Sequence, residues 1–321
     1  MKTAPLFEVE GLSRPPGGEA FWIQARDGAR LRAARFLPAM APKGAVILSP
    51  GRTEVIEKYY EVIAELLGRG LAVVVHDWRG QGLSHRSLRD PLKGHARGRD
   101  AFLADYEVLL ARLGEGLPGP WLAIGHSMGG CLTLLALASG QAERFDGAIL
   151  SAPMLGVLTG SVPPPRARLL AKIHCLLGLA GGYVPNQPRD PLVAAFAGNV
   201  LTHDEARFER AARLLSAHPE LALGAPTWGW LDFAFQATDA LARPHALDAV
   251  SCPLIVVSAE EDALVDNVAQ RQVTLSAPDG RFVVAPGARH EILMEVDATR
   301  ALFWGEFDTL LAQVLARRGA A

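Results

Sequence analysis

Short apolar segments that alternate with amphipathic stretches constrain the fold of this chain more than any other feature. The segments are apolar throughout rather than at alternate positions, which is typical of strands that are buried on both faces of a parallel sheet. They span residues 45–48, 71–75, 121–124 and 147–150. Apolar residues recur at helical spacing between them, near residues 55–67, 100–113 and 128–138. This order of strands and helices predicts an α/β fold.

Further strands are predicted on both sides of this block. An Asp27-Gly28 turn joins residues 20–25 to residues 31–36 and predicts a β-hairpin. Strand patterns return at residues 254–257 and 281–284, and a last helix is predicted over residues 298–316. We therefore predict eight strands in a mostly parallel sheet that is flanked by helices.

The alternation is interrupted after the sixth predicted strand. Residues 155–248 have helical patterns and many prolines, and residues 202–205, Thr-His-Asp-Glu, match a capping box that would open a helix at Thr202. This stretch is predicted to be a helical cap that is inserted into the α/β core. The predicted divisions are residues 1–154 and 249–321 for the core and residues 155–248 for the cap.

Composition and charge exclude several classes of protein. Half of the 321 residues are apolar and 21% are charged, which is typical of a globular chain and not of a disordered one. Lys and Arg number 32 against 34 Asp and Glu, so no basic excess indicates a nucleic-acid partner. The three cysteines, Cys131, Cys175 and Cys252, are too few and too far apart for a disulfide framework or a cysteine zinc site. Without an apolar leader or an apolar run of about 18 residues, we expect a cytoplasmic protein with no transmembrane helix.

The sharpest chemical motif is Gly-His-Ser-Met-Gly-Gly at residues 125–130, between a predicted strand and a predicted helix. This context is that of a nucleophile elbow, in which a tight turn projects a serine from the carboxyl edge of the sheet. Glycines two positions before and after the serine avoid a collision of side chains in the turn. Ser127 is therefore the candidate nucleophile, and the N–H of Met128 is a candidate donor to an oxyanion.

A serine nucleophile needs a base and an acid that orients the base. In α/β hydrolases the chain order is nucleophile, acid, histidine, and His290 follows the last predicted strand. The acid is expected after the strand at residues 254–257. Four carboxylates lie there, and the residues alone leave the choice among them open: Glu260, Glu261, Asp262 and Asp266.

The loop at residues 49–54, Ser-Pro-Gly-Arg-Thr-Glu, is predicted to supply the second oxyanion donor. The N–H of Arg52 is the candidate, because the preceding glycine allows the backbone to approach a reacting carbonyl. Two roles are open for the Arg52 side chain, to cover the pocket or to pair with Glu54, and we expect the pairing with Glu54. Gly80-x-Gly82 lacks the third glycine of a dinucleotide fingerprint, and no phosphate-loop lysine follows, so nucleotide binding is not predicted.

These segments together resemble α/β-hydrolases of the monoglyceride lipase and bacterial lysophospholipase group, often called serine aminopeptidase-type hydrolases. The resemblance rests on residues 49–54, 77–84, 125–130, 261–262 and 289–290. It implies the α/β-hydrolase fold with Ser127 as nucleophile, Asp262 as acid and His290 as base, and neither a metal nor an organic cofactor. Pro50-Gly51 replaces the His-Gly of monoglyceride lipases, which favours the lysophospholipase branch.

The resemblance also implies an activity, the hydrolysis of a monoacyl lipid ester (a lysophospholipid or a monoacylglycerol) through an acyl-enzyme. Another serine hydrolase (a small-ester esterase, thioesterase or peptidase) stays open, as does a non-catalytic binding protein. A peptidase would need a carboxylate in the cap that binds the substrate amine. Four residues are candidates for it: Asp190, Asp204, Glu205 and Asp232.

The cap is expected to lie over the active site. Its apolar stretches near residues 176–180 and 228–235 are expected to line an acyl tunnel, to dock on lipid or to pack the cap onto the sheet. The predicted partners are a small-molecule or lipid ester and, through the cap, transiently a membrane surface.

Overall fold

A nine-stranded sheet organises the part of the chain that the computed structural model describes, residues 1–185, 187, 189–193 and 195–319. Within these residues the strands are β1 (Lys2–Thr3), β2 (Gly18–Gln24), β3 (Arg30–Phe36), β4 (Ala45–Ser49), β5 (Ala72–His76), β6 (Trp121–His126), β7 (Gly147–Ser151), β8 (Leu254–Ala259) and β9 (Gly280–Ala285). Their order across the sheet is β1-β2-β3-β5-β4-β6-β7-β8-β9. The pairs from β1 to β5 are antiparallel, and all pairs from β5 to β9 are parallel.

The predicted α/β class with a mostly parallel sheet is confirmed, but the prediction of eight strands is wrong. The additional strand is β1, in which Lys2 pairs with Trp22 and Thr3 with Phe21 at the antiparallel edge. Two exposed residues form no periodic pattern, so the sequence did not predict this strand. The strand that precedes the predicted cap is consequently the seventh, β7, and not the sixth.

Helices connect the parallel strands. In the described ranges they are α1 (Tyr60–Gly68), α2 (Asp100–Leu113), α3 (Met128–Ala138), α4 (Pro164–Leu176), α5 (Glu205–Ala217), α6 (Trp228–Leu241), α7 (Asn267–Leu275) and α8 (Asp297–Gly319), with short 3₁₀ helices at Ile56–Tyr59, Pro191–Val193, Pro219–Leu221 and Ile292–Met294. Of the helices in this part of the chain, none is both long and apolar enough to cross a membrane.

Apolar residues cover both faces of the sheet, and β4 shows the pattern. Its alternate residues Ala45 and Ile47 belong to the core that α2 and α3 cover, whereas Val46 and Leu48 belong to the core under α1 and α8. Both positions of each pleat are therefore buried. This burial on two faces explains why the strand segments are apolar at every position.

Helices α4, α5 and α6 lie between β7 and β8, within the stretch that was predicted to be a cap. Phe233 of α6 packs on Phe102 of α2, with ring centroids 4.9 Å apart, so α6 joins the core. Helix α4 packs on α6 through the buried Ala167 and Ala171. Its end is apolar but unburied: the side chains of Leu176 and the following Leu177 are 78% and 68% exposed.

The N-terminus of α5 differs from the predicted capping box. The helix begins at Glu205, and its N-cap is Asp204, whose carboxylate accepts a hydrogen bond from the Arg207 N–H at 2.9 Å. The hydroxyl of Thr202, which was predicted to be the cap, donates to the carbonyl of Met294 at 2.7 Å. The predicted position of the N-cap was therefore wrong by two residues.

Candidate active site

Ser127 lies on the tight turn between β6 and α3. Its φ of 50° and ψ of −117° are an uncommon backbone conformation for a residue with a side chain, and such strain is characteristic of a nucleophile elbow. The side chain is consequently lifted above the carboxyl edge of the sheet. The N–H of Ser127 donates to the Ser151 carbonyl at 3.1 Å, which ties the turn to β7.

The glycines of the motif are required by close backbone approaches. A Cβ on Gly125 would lie 2.6 Å from the Cα of Gly130, and a Cβ on Gly129 would collide with the carbonyl oxygen of Ser49. Real Cβ atoms do not come this close to backbone atoms. The elbow therefore packs directly on the loop after β4, which was predicted to supply an oxyanion donor.

Ser127, His290 and Asp262 form a continuous chain of hydrogen bonds. The Nε2 of His290 lies 2.9 Å from the Oγ of Ser127, and its Nδ1 lies 2.7 Å from Oδ2 of Asp262. The other oxygen of Asp262 accepts the N–H groups of Leu264 and Val265 at 2.8 and 3.0 Å. The acid is thus held in place from one side and holds the imidazole from the other.

The remaining carboxylates after β8 have other contacts. Asp266 is the N-cap of α7 and accepts the N–H of Val268 at 2.8 Å, and Glu260 accepts the N–H of Gly287 at 2.8 Å. The side chain of Glu261 is 56% exposed. Of the four acids that the sequence left open, the structure therefore places Asp262 against His290.

The backbone N–H groups of Met128 and Arg52 are the candidate oxyanion donors. Met128 is the first residue of α3, where a helix has no internal partner for its N–H groups. The N–H of Arg52 has no hydrogen-bond partner within the described residues. An oxyanion that formed beside Ser127 would be stabilised by such unpaired donors.

We call residues 49–54 the oxyanion loop, after the role predicted for them. Side chains from a second loop hold it in place. The indole N–H of Trp78 donates to the carbonyl of Pro50 at 2.7 Å, and the amide of Gln81 donates to the carbonyl of Gly51 at 2.7 Å. Glu54 accepts the N–H of Gly51. The expected pairing of Arg52 with Glu54 is wrong, because Glu54 is turned toward other partners.

Those partners form a buried polar group that we call the Glu54 cluster: Glu54, Lys58, Tyr59, His126 and Glu291. Lys58 Nζ lies 3.0 Å from Glu54 Oε1 and also contacts Glu291, and the hydroxyl of Tyr59 donates to Glu54. Burial opposes the negative charge of Glu54, but His126 and Lys58 outweigh it and hold the pKa of Glu54 well below its usual range.

His126 connects this cluster to the candidate base. Its Nδ1 lies 3.0 Å from Glu54 Oε2, and its Nε2 lies 3.2 Å from the carbonyl oxygen of His290. Because both ring nitrogens face acceptors, only the imidazolium can donate to both. Burial opposes this charge, but the Glu54 and Glu291 carboxylates raise the pKa of His126.

Sequence reasoning missed Trp78, Gln81 and the Glu54 cluster as residues that position the site. Lys58 and Tyr59 lie only four and five positions from Glu54, but His126 and Glu54 are separated by 72 residues. The one available signal was the Asp-Trp-Arg-Gly-Gln-Gly segment at residues 77–82, which carries part of the family resemblance but does not by itself predict these contacts.

Two of the carboxylates that a peptidase would need in the cap already have backbone partners. Asp204 caps α5, and Asp190 accepts the N–H of Leu192 at 2.9 Å. The side chain of Asp232 accepts from the amide of Gln236, one helical turn away. No observation here favours an amine site.

Comparisons with known proteins identify the family of the chain. The family model described as serine aminopeptidase, S33, matches residues 40–297, which is more than half of the chain. The chain belongs to this family. As a member of the serine aminopeptidase S33 family, the chain is a hydrolase. The family resemblance that its motifs indicated is thereby confirmed.

Individual relatives extend over nearly the whole chain of this S33 family member. Lysophospholipase L2 of Escherichia coli strain K12 is 31% identical in an alignment that covers 88% of this chain and 86% of the relative. Human monoglyceride lipase is 23% identical in an alignment that covers 92% of this chain and 91% of the relative. A soluble variant of monoglyceride lipase from Saccharomyces cerevisiae has a similar structure, with a TM-score of 0.73 at 19% identity over 92% of this chain and 96% of that one. This last likeness confirms the α/β-hydrolase fold.

Proposed function

We propose that the chain is a serine carboxylester hydrolase that cleaves a monoacyl lipid ester through an acyl-enzyme on Ser127. The chain of hydrogen bonds from Asp262 through His290 to Ser127 carries this proposal. It supplies a nucleophile, a base and an orienting acid on one strained turn, which is the combination that acyl transfer by serine requires.

In the acylation step, Oγ of Ser127 attacks the ester carbonyl carbon while His290 Nε2 accepts the hydroxyl proton. The electron pair of the carbonyl moves to its oxygen, where the N–H groups of Arg52 and Met128 stabilise the negative charge. The intermediate collapses when His290 gives the proton to the leaving alkoxide and the ester C–O bond breaks. The acyl group is then bound to Ser127, and the alcohol leaves.

In the deacylation step, a water molecule takes the place of the alcohol. His290 accepts its proton at Nε2, the oxygen attacks the acyl carbon, and the bond to Ser127 Oγ breaks as the proton returns to the serine. Asp262 keeps Nδ1 of His290 protonated and stabilises the imidazolium throughout both steps. The products are a fatty acid and the free enzyme.

The substrate class is supported by the relatives and by the segment between β7 and β8. Relatives that cover most of the chain are named lysophospholipase and monoglyceride lipase, whose substrates are monoacyl lipids. We propose that residues 155–248 act as the cap, divided from the core parts 1–154 and 249–321. Helix α6 packs on the core beside the oxyanion loop, and Trp230 of this helix lies over Arg52 with 5.1 Å between ring centroid and guanidinium carbon.

Fatty-acid release from lysophosphatidylcholine and from monoacylglycerol tests the proposal. Ser127→Ala is expected to lose about 10⁶-fold in kcat, and Asp262→Asn roughly 10⁴-fold. Asp266→Asn is the matched control, because it removes a neighbouring carboxylate that caps α7 and leaves His290 untouched. Equal losses in the two Asp→Asn variants would refute the assignment of the acid. Activity that survived Ser127→Ala would refute the nucleophile.

Transient contact of the cap with a membrane is part of the proposal. Helix α4 exposes Leu169 and Leu176 beside the exposed cations Arg166 and Lys172, a combination that favours the surface of an anionic bilayer. Sedimentation with vesicles that contain anionic lipid measures this contact. Leu176→Ser is expected to weaken binding about tenfold, given the apolar area of a leucine. Leu275→Ser, at an exposed position on α7, is the control, and equal binding of both variants would refute the contact.

A further inference from the structure

The guanidinium of Arg52 has no carboxylate partner in the described part of the chain. Its Nη2 donates to the carbonyl of Gly224, and its guanidinium carbon lies 5.1 Å from the ring centroid of Trp230. Its Nε is sealed from solvent and has no hydrogen-bond partner in the same residues. Gly94 packs so closely that a Cβ there would collide with the guanidinium. The neighbouring carboxylate, Glu54, is occupied by its own cluster.

A desolvated cation without a counter-charge is unfavourable, since neither water nor an opposite charge compensates it. Burial lowers the pKa of Arg52 to about 10, and no acid opposes this effect. In the described part of the chain, the side chains that contact Arg52 thus supply neither a negative charge to balance it nor an acceptor for its Nε–H. An anion against the partly exposed Arg52 side chain would compensate its charge.

Other cations lie in the same region. Lys93, which precedes the glycine that packs on Arg52, has its Nζ 5.1 Å from the ring centroid of Tyr183. The guanidinium carbon of Arg189 lies 5.0 Å from the same ring. One carboxylate, Asp90, accepts the Tyr183 hydroxyl at 2.9 Å. Cations therefore outnumber carboxylates in this group, and its field favours a negative ligand.

The position of Arg52 in the proposed mechanism identifies the anion. Its backbone N–H is a candidate donor to the ester oxyanion, so its side chain starts at the reacting carbonyl. In a lysophospholipid the phosphate is separated from the acyl ester by the glycerol backbone, a distance that an arginine side chain spans. A guanidinium also matches the geometry of phosphate oxygens with two parallel N–H donors.

We propose that the Arg52 guanidinium binds the headgroup phosphate of a lysophospholipid substrate and thereby selects it over a monoacylglycerol with the same acyl chain. The proposal rests on the proposed function and adds a specificity-determining residue to it. A monoacylglycerol has no charged group at this position, so its binding leaves the guanidinium uncompensated.

The ratio of kcat/KM for lysophosphatidylcholine to kcat/KM for the matching monoacylglycerol tests this role. A charge-assisted hydrogen bond contributes enough for Arg52→Gln to lower the ratio about ten- to a hundredfold, mainly through KM of the phospholipid. Arg52→Lys is expected to restore part of the ratio because it keeps the charge. If a substitution of Arg52 also disturbs the oxyanion loop, both kcat/KM values fall together and their ratio does not change.

The control is Arg213→Gln, which removes an exposed charge on α5 and is expected to keep the wild-type ratio. A measurement on the wild type alone does not depend on the folding of any variant. Glycerophosphocholine is expected to inhibit monoacylglycerol hydrolysis at least tenfold more strongly than glycerol does.

An unchanged ratio in Arg52→Gln would overturn the proposal and leave the proposed function standing. Inhibition by inorganic phosphate together with an unchanged ratio would overturn it too, because the ligand would then be free phosphate. If wild type hydrolysed neither lipid although Ser127 reacted with a fluorophosphonate, the proposed function itself would fail.

Discussion

Replacement of Glu54 by glutamine is expected to destabilise the fold by about 3–5 kcal/mol, the usual effect of removing one partner from a buried ion pair. The side chain of Glu54 is only 2% exposed. It accepts hydrogen bonds from Lys58, Tyr59, His126 and the N–H of Gly51. Glutamine keeps the shape of the side chain but replaces one acceptor oxygen with an N–H donor. Lys58 and His126 are then left with Glu291 as the remaining carboxylate of the cluster.

A matched surface variant separates this effect from that of any Glu→Gln change. Glu107 pairs with Arg26 at 2.6 Å, but the two side chains are 41% and 64% exposed. Exposed pairs of this kind contribute about 0–1 kcal/mol. Glu107→Gln is therefore expected to change the free energy of unfolding by less than 1 kcal/mol.

Urea unfolding followed by tryptophan fluorescence measures both variants, and pH adds a second test. Because the folded pKa of Glu54 is lowered, its contribution to stability is fully present above about pH 4.5, the pKa of the unfolded chain. That contribution is lost as the pH falls through the lower folded pKa. The raised pKa of His126 makes its contribution complete below 6.5 and lost as the pH rises through the folded value. The difference between wild type and Glu54→Gln should thus be largest between about pH 4.5 and 6.5 and should decrease as the pH rises through the folded pKa of His126. A loss below 1 kcal/mol at pH 5.5 would refute the reasoning.

Two further predictions concern stability. Burial lowers the pKa of His76 to about 3. As the pH falls below about 6.5, the unfolded chain therefore binds a proton at this residue that the folded chain does not bind. This difference should lower the free energy of unfolding by about 2 kcal/mol at pH 5 relative to pH 8. His76→Phe should lose that part of the acid sensitivity in urea titrations at the two pH values, and undiminished sensitivity would contradict the prediction. Gly305 lies within α8, where nothing is within 4 Å of an added Cβ, so Gly305→Ala should stabilise the fold by about 0.5–1 kcal/mol. A thermal melt with an unchanged or lower midpoint would show that prediction to be wrong.

Local pattern was sufficient to predict most of the sheet and the elbow. Strands such as β4 are apolar at every position because both faces are buried, and that requirement is visible in the sequence itself. The spacing of Gly125, Ser127 and Gly129 reflects close backbone approaches, of Gly125 to Gly130 within the motif and of Gly129 to the carbonyl of Ser49 in the loop after β4. The four carboxylates after β8 have no such local signature, and Asp262 was chosen among them only through a family resemblance.

Contacts between distant segments account for what sequence reasoning missed. Thr202 was expected to cap α5, but its hydroxyl binds the carbonyl of Met294, 92 residues away. Glu54 was expected to pair with Arg52, two positions before it, but His126 lies closer in space although it is 72 residues away. In both cases a nearby partner in the sequence was replaced by a distant one that the fold brings into contact.

The pairing of β7 with β8 has a consequence for the newly made protein. Ser127 and His290 are separated by 163 residues, and the strands that bring them together lie on opposite sides of the long segment that holds α4, α5 and α6. At a translation rate of about 5–20 residues per second, the histidine is synthesised roughly 10–30 s after the serine. A growing chain therefore carries its serine without a base for most of its synthesis. The proposed nucleophile can therefore acquire its proposed base only after the ribosome has passed β9, when helix α4 has already been made.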